Sequence, residues 1–127
     1  MKGVLRMKRN LDLIRYILIS CEEDNSRRLC CSDLVNDEYS FEEISYHVEL
    51  LIDEFLVEAD GVGVLGSMYD DFIINRLTAP GHDYLDSVRD ASIWKQTKSH
   101  IGSSLPSVPL SIISEVASSI LKSKLGI

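Results

Sequence analysis

The chain has 127 residues, enough for one domain around a single core. Hydrophobic residues make up 45% and charged residues 26%, an ordinary globular balance. No apolar run approaches the roughly 18 uncharged residues that a transmembrane helix needs. The net charge of −7 is unevenly spread. Residues 1–28 carry seven basic and four acidic side chains, residues 29–90 two and fifteen, and residues 91–127 four and one. Basic ends therefore flank a strongly acidic middle.

The N-terminal stretch MKGVLRMKRN is basic, but it leads into an amphipathic helix rather than a signal-peptide core, so the expected location is cytoplasmic. From Asn10 to about Cys21, Leu11, Ile14, Ile17, Leu18 and Cys21 recur on one face of a helical period. Arg28 to Leu34 reads as a short strand. Cys30 and Cys31 then fall on its opposite faces as small packing residues, although a vicinal pair also admits a redox or soft-metal site. Three cysteines without a CxxC spacing indicate neither a disulfide framework nor a zinc knuckle.

Asn36 to Ser40 is turn-like. A second helix is predicted over Phe41 to Phe55, with Ser40 as N-cap and Glu43 completing a capping box. Its buried stripe is Ile44, Val48, Leu51, Ile52 and Phe55. Leu56–Ala59 and Phe72–Leu77 read as strands of a hairpin with a long glycine-containing tip. Thr78 caps a third, long helix running to about His100, with Pro80 in the tolerant first turn. The segment 102–109 is a Ser/Pro linker, and a last amphipathic helix extends through Leu125 to a stop at Gly126.

This order predicts an α+β, mainly helical fold. Its centre is a winged helix-turn-helix-like core of helix, short strand, helix and β-hairpin wing, to which a long helix and a C-terminal amphipathic helix are added. The winged-helix-like domain is placed at 1–101 and the appended helix at 110–127.

Three blocks carry a family resemblance: MKRNLDLIRYIL at Met7–Leu18, YSFEEISYHVELLIDEFLVEA at Tyr39–Ala59, and RLTAPGHDYLDSVRDASIW at Arg76–Trp94. The closing ILKSKLG fits as well. Together they resemble a bacterial and phage family known only as a domain of unknown function. The resemblance implies a small winged-helix-like protein associated with prophages or other mobile elements. It implies no activity, substrate or catalytic residue. Ala79-Pro80 departs from the family's usual bulky-acidic pair before Gly81, and Met1–Arg6 is an unusual extension.

The helix that would read DNA in such a fold is unsuited to it. Glu42, Tyr46, Glu49, Leu50 and Asp53 lie opposite its apolar stripe, and no lysine or arginine occurs from Leu29 to Asn75. DNA affinity rests on cations that neutralise phosphates, so this face would repel the backbone. Carboxylates around an aromatic and an aliphatic anchor suit a basic protein surface instead. The expectation is a regulatory or adaptor protein that binds a protein partner. The alternative is a DNA-binding regulator using Lys8, Arg9, Arg15, Arg27 and Arg28, together with Lys2, Arg6 and the tail lysines. The commoner reading of those cations is that they solvate helix ends or pair with the acidic centre.

No enzymatic motif stands out. His82 and Asp86 share a helix face at i, i+4, but two ligands make no metal site, and neither an HExxH nor a glycine-rich phosphate loop accompanies them. His82 is expected to pack against the wing. His47 sits at the edge of the buried stripe, where a structural histidine is commoner than a general base. No cofactor is implied. The last helix can fold back or pair with a second copy, and its stripe of Ile113, Val116, Ala117, Ile120 and Leu121 suggests a homodimer. Its polar face lacks the charge of a membrane-surface helix.

Overall fold

The structure is a computed structural model that describes residues 7–102 and 108–127. Lys2, Arg6 and the centre of the expected linker lie outside the described residues. Asn10 starts the first helix by accepting from the N–H groups of Asp12 and Leu13 at 3.0 and 3.1 Å. Helix α1 then runs over Leu11–Glu23 and buries Leu11, Leu13, Ile14, Ile17 and Leu18.

The strand expected over Arg28–Leu34 is cut to β1, Leu29–Cys30. At Cys31 the chain turns into a one-turn helix, α2 (Cys31–Leu34). The reason is local. The Asp33 carboxylate reaches back to accept the Cys30 N–H at 3.0 Å, holding a helical start that competes with the strand. Asn36 then accepts from the N–H groups of Glu38 and Tyr39, a side-chain-closed turn.

Helix α3 (Phe41–Asp53) opens with the capping box foreseen from sequence. Ser40 accepts from the Glu43 N–H at 3.2 Å, and Glu43 accepts from the Ser40 N–H at 3.1 Å. The helix ends earlier than its apolar period implies. The Phe55 N–H donates to Ile52 and the Leu56 N–H to Leu51, the paired bonds of a Schellman motif. Phe55 takes the left-handed position of that motif, at φ 59°. It therefore leaves the buried stripe to which the helical period assigned it, and Leu56 is buried instead.

Strands β2 (Val57–Val62) and β3 (Asp71–Leu77) form the expected antiparallel hairpin, with an irregularity between Glu58 and Ala59. The short β1 pairs antiparallel with β3, giving the order β1-β3-β2.

The single long helix expected from Thr78 to about His100 is two helices, α4 (Ala79–Val88) and α5 (Ala91–Ile101). Asp90 divides them. Its backbone is extended and its carboxylate accepts the Ile93 N–H at 2.9 Å, so it caps a new helix. Arg15 of α1 secures the break by donating to the carbonyls of Val88 and Arg89 at 2.8 and 2.6 Å. Helix α6 (Leu110–Leu125) folds back on α4 and α5 and is stopped by the left-handed Gly126.

Among the described residues the architecture is α+β, with six helices and a three-stranded antiparallel sheet. A single apolar cluster runs from Leu11 of α1 through Ile44, Ile74 and Leu85 to Ile113 and Ala117 of α6. Each fully buried Leu or Ile in it contributes about 2 kcal/mol of transfer free energy. The 110–127 segment thus joins the same core as the rest.

Candidate interaction surface

Ser45 fixes how α3 sits on the sheet. It is buried, and its hydroxyl donates to the Asp70 carbonyl at 2.7 Å, so this line of the helix faces the hairpin. At about 100° per residue, Glu49 lies roughly 40° and Glu42 roughly 60° around the helix from Ser45, with Asp53 and Tyr46 just beyond. The acidic row therefore runs alongside the hairpin. Glu49 and Asp53 are exposed, while Glu42, Tyr46 and Leu50 are half-buried at its margins. The structure brings together all five residues singled out from sequence on one outward face.

No cation among the described residues forms an ion pair with that row. Among the described residues the ion pairs are Arg76–Glu58, Arg89–Glu22, Arg89–Asp86 and Lys98–Asp12, and none involves Glu42, Glu49 or Asp53. The hairpin tip beside it is also without cations. The Ser67 N–H donates to the Val64 carbonyl across a turn with Gly66 at φ 80°, which projects apolar side chains outward. Leu65 is 104% exposed and Met68 is 95% exposed.

At its C-terminal end the row meets Phe55, which sequence periodicity misplaced. Its ring is 76% exposed, and its neighbours Asp53 and Glu54 are exposed carboxylates. Glu54 and Leu56 also line a recess of about 200 Å³ with Tyr84, Leu110, Ser111 and Ser114. Helix termination was the missed signal. An apolar residue two positions beyond the last helical turn does not inherit that helix's buried face.

Among the described residues, the basic side chains before and after α1 form two separate groups. Lys8 and Arg9 precede α1 and Arg27 and Arg28 follow it, so about 20 Å of helix separates the two groups. Arg9 donates to the Val108 carbonyl at 2.8 Å, and Arg15 is engaged at the end of α4. These two guanidinium groups tie the chain to itself. Lys8, Arg27 and Arg28 remain exposed.

His82 is exposed on α4, not packed against the hairpin, because Gly81 is the residue of that turn that meets the backbone of Leu56, just ahead of β2. Asp86 accepts an ion pair from Arg89 at 2.7 Å. No group of three or more His, Cys, Asp or Glu side chains among the described residues could hold a metal ion. The three cysteines are free thiols.

His47 is buried rather than marginal. Its Nε2 accepts the Asn10 N–H at 2.8 Å and its Nδ1 lies 2.7 Å from the Glu43 carbonyl. Burial pushes its pKa below the ordinary 6.5, which the Glu43 hydrogen bond only partly opposes.

The proposed dimer stripe serves the monomer. Ile113 and Ala117 are fully buried within their own chain, and Val116 and Ile120 are half-buried; only Leu121 is exposed. Folding back on α4 and α5 places Ile113 and Ala117 in the chain's own core.

No helix among the described residues is long and apolar enough to cross a membrane. A family model described as a hypothetical protein, DUF2513, matches residues 8–106. The chain is 35% identical over 123 residues to an uncharacterised protein of Haemophilus influenzae, covering 94% of this chain and 100% of that one. No solved structure matches it. The family model covers most of the chain and the relative is matched along its whole length, so the chain belongs to the DUF2513 family.

Proposed function

We propose that this chain is a non-enzymatic regulatory or adaptor protein that binds a basic protein surface through the outward face of α3. The scaffold supporting this reading is winged-helix-like. The element order α1-β1-α2-α3-β2-β3 and the sheet order β1-β3-β2 support reading α3 as the counterpart of a recognition helix that precedes its wing. Such a helix would normally approach phosphates.

One observation carries the reading: Glu42, Glu49 and Asp53 form an outward row with no ion-pair partner among the described residues. A phosphate backbone would be repelled, whereas a lysine- or arginine-rich protein surface would be attracted and steered. Tyr46 and Leu50 supply the apolar contact that charge alone lacks. The acidic helix thereby imitates the charge of a nucleic acid strand. A role on a prophage or mobile element follows from the family resemblance.

The test is charge reversal. Glu42→Lys with Glu49→Lys should abolish capture of a partner that the unaltered chain retains, with the fold intact by circular dichroism. Unchanged capture refutes the reading. The alternative, DNA binding through the basic segments, predicts a complex with duplex DNA at low salt that weakens steeply towards physiological salt.

A further inference from the structure

We propose that the recess between α3, α4 and α6 is a binding site for a free α-amino acid with an aliphatic side chain, held at both of its charged ends. The site is separate from the outward face of α3 and stands or falls without it.

Two helix ends of opposite polarity meet at this recess. Its wall takes Glu54 from the C-terminal end of α3, and Leu110 and Ser111 from the first turn of α6. The α3 end carries partial negative charge and the α6 end partial positive charge. Pro109 offers α6 no side-chain cap, and its carbonyl serves only the N–H groups of Ile112 and Ile113. The N–H groups of Leu110 and Ser111 have no backbone acceptor among the described residues, as at helix starts that bind anions. At the other helix end, Glu54 is an exposed carboxylate in no ion pair among the described residues.

Tyr84 is a second, independent sign of a ligand. It is 5% exposed and lines the same recess, and its hydroxyl has no hydrogen-bond partner among the described residues. A buried hydroxyl left unpaired destabilises a fold, so its presence calls for a partner from outside the chain. Burial pushes its pKa well up, with the Arg9 charge opposing, so the group stays a donor. Arg9 also donates to the Val108 carbonyl at 2.8 Å, which sets a guanidinium just ahead of α6. Arg9 and the start of α6 thus draw a carboxylate to that end, with the Tyr84 and Ser111 hydroxyls as further donors.

The volume of about 200 Å³ sets the size of the ligand. It exceeds the roughly 150 Å³ that holds a benzene-sized guest and falls short of the roughly 300 Å³ where drug-sized sites begin. Leu56 and Leu110 offer an apolar wall to a side chain. An aliphatic α-amino acid answers each demand, with its carboxylate at α6, its ammonium at Glu54 and its side chain on the two leucines. A phosphate or dicarboxylate would be repelled by Glu54, and a diamine by the α6 end.

The experiment titrates the isotopically labelled full chain with L-leucine and follows its backbone amides. Isocaproate, which lacks the ammonium, and isoamylamine, which lacks the carboxylate, are run beside it. L-Leucine should produce saturable shifts by about 10 mM, largest at Leu110 and Ser111. Each analogue should bind about tenfold more weakly, since each loses one charge-assisted contact. Glu54→Gln should weaken L-leucine by a similar factor. Tyr84→Phe should weaken it about fivefold without lowering the melting temperature, because the hydroxyl it removes is unpaired in the free chain. No shifts over that range, equal binding of the analogues, shifts centred away from the recess, or a melting temperature lowered by Tyr84→Phe would overturn the inference.

Discussion

The imidazole of His47 accepts the backbone N–H of Asn10 at 2.8 Å, joining the first turn of one core helix to the middle of another. Asn10 can only donate there, so Nε2 carries no proton, and Nδ1 donates to the Glu43 carbonyl at 2.7 Å. A second proton would set N–H against N–H inside the core. Burial and, to a smaller extent, Arg9 depress the pKa below 6.5, although Glu43 pulls the other way. The unfolded chain therefore binds the proton more readily, and stability rises with pH between the folded and unfolded values. Urea unfolding should show full His47-dependent stability above about pH 6.5 and a decline as the pH falls below it. His47→Gln should flatten that decline, and a decline of unchanged size in the variant would assign it elsewhere. His47→Ala should cost about 2–4 kcal/mol at pH 7.5, from the cavity and the stranded Asn10 N–H.

Gly81 has a structural purpose within the GHDYLD stretch. A Cβ at this position would lie 2.0 Å from the Leu56 carbonyl oxygen and 2.9 Å from its carbon, both backbone atoms that cannot swing aside. That carbonyl also accepts the Thr78 N–H at 3.0 Å, so displacing it opens the junction of α4 with the hairpin. Gly81→Ala should destabilise the fold by about 3 kcal/mol, measured by denaturant titration. Ala79→Gly, in the same turn but exposed, should cost about 1 kcal/mol or less. Equal losses at the two positions would remove the packing explanation.

Asp12 joins α1 to α5 through two donors. The Trp94 indole N–H reaches its Oδ1 at 2.8 Å and the Lys98 ammonium at 3.0 Å, with that ammonium 5.6 Å from the indole centroid. Burial works to raise the carboxyl pKa. The hydrogen bonds from Trp94 and Lys98 and the charges of Lys98 and Arg15 outweigh it, leaving the pKa below 3.8. The resulting stabilisation is complete above about pH 4 and is lost as the pH falls through the folded value. Asp12 is about half exposed, so the interaction is screened. Asp12→Ala should cost about 1 kcal/mol at pH 7, and the gap between variant and parent should close as acid protonates the folded carboxylate. A gap that persists undiminished in acid would show that helix capping or packing, not the carboxylate charge, is responsible.

Local chemistry made much of this fold legible from sequence. The Ser40–Glu43 box, the apolar period of α1 and that of α3 as far as Leu51 are each decided within a few residues, and they lie where sequence placed them. What was illegible depended on competition or distance. Asp33 and Asp90 are ordinary acidic residues until each captures a backbone N–H three positions away, one shortening a strand and the other dividing a helix. The apolar spacing of Val88 and Ala91, three residues apart, runs across that division and conceals it. Arg15 reads as a surface cation because its acceptors are more than 70 residues away in sequence. The five residues of the α3 face were legible because they share one uninterrupted helix. Phe55 was not, since the same period fails once the chain leaves the helix.

The three thiols differ in environment, and their reactivity should follow. Burial pushes Cys21 up to about 12 and Cys31 up to about 11, in each case with nearby acidic groups adding to the effect. Cys30 is raised as well, first by desolvation and then by Asp71 and Asp33. The thiolate is the reactive species, and no cation outweighs these effects at any of the three. Iodoacetamide at pH 7.5 should therefore modify the folded chain slowly. Cys30 should react first, because it stands at the edge of β1 while Cys31 is buried. Unfolding in urea should make all three react at a common, faster rate, at least tenfold above Cys31 in the native chain. Rapid native labelling of the vicinal pair, read by mass spectrometry, would instead require a lowered thiol pKa and would reinstate a redox reading of Cys30 and Cys31.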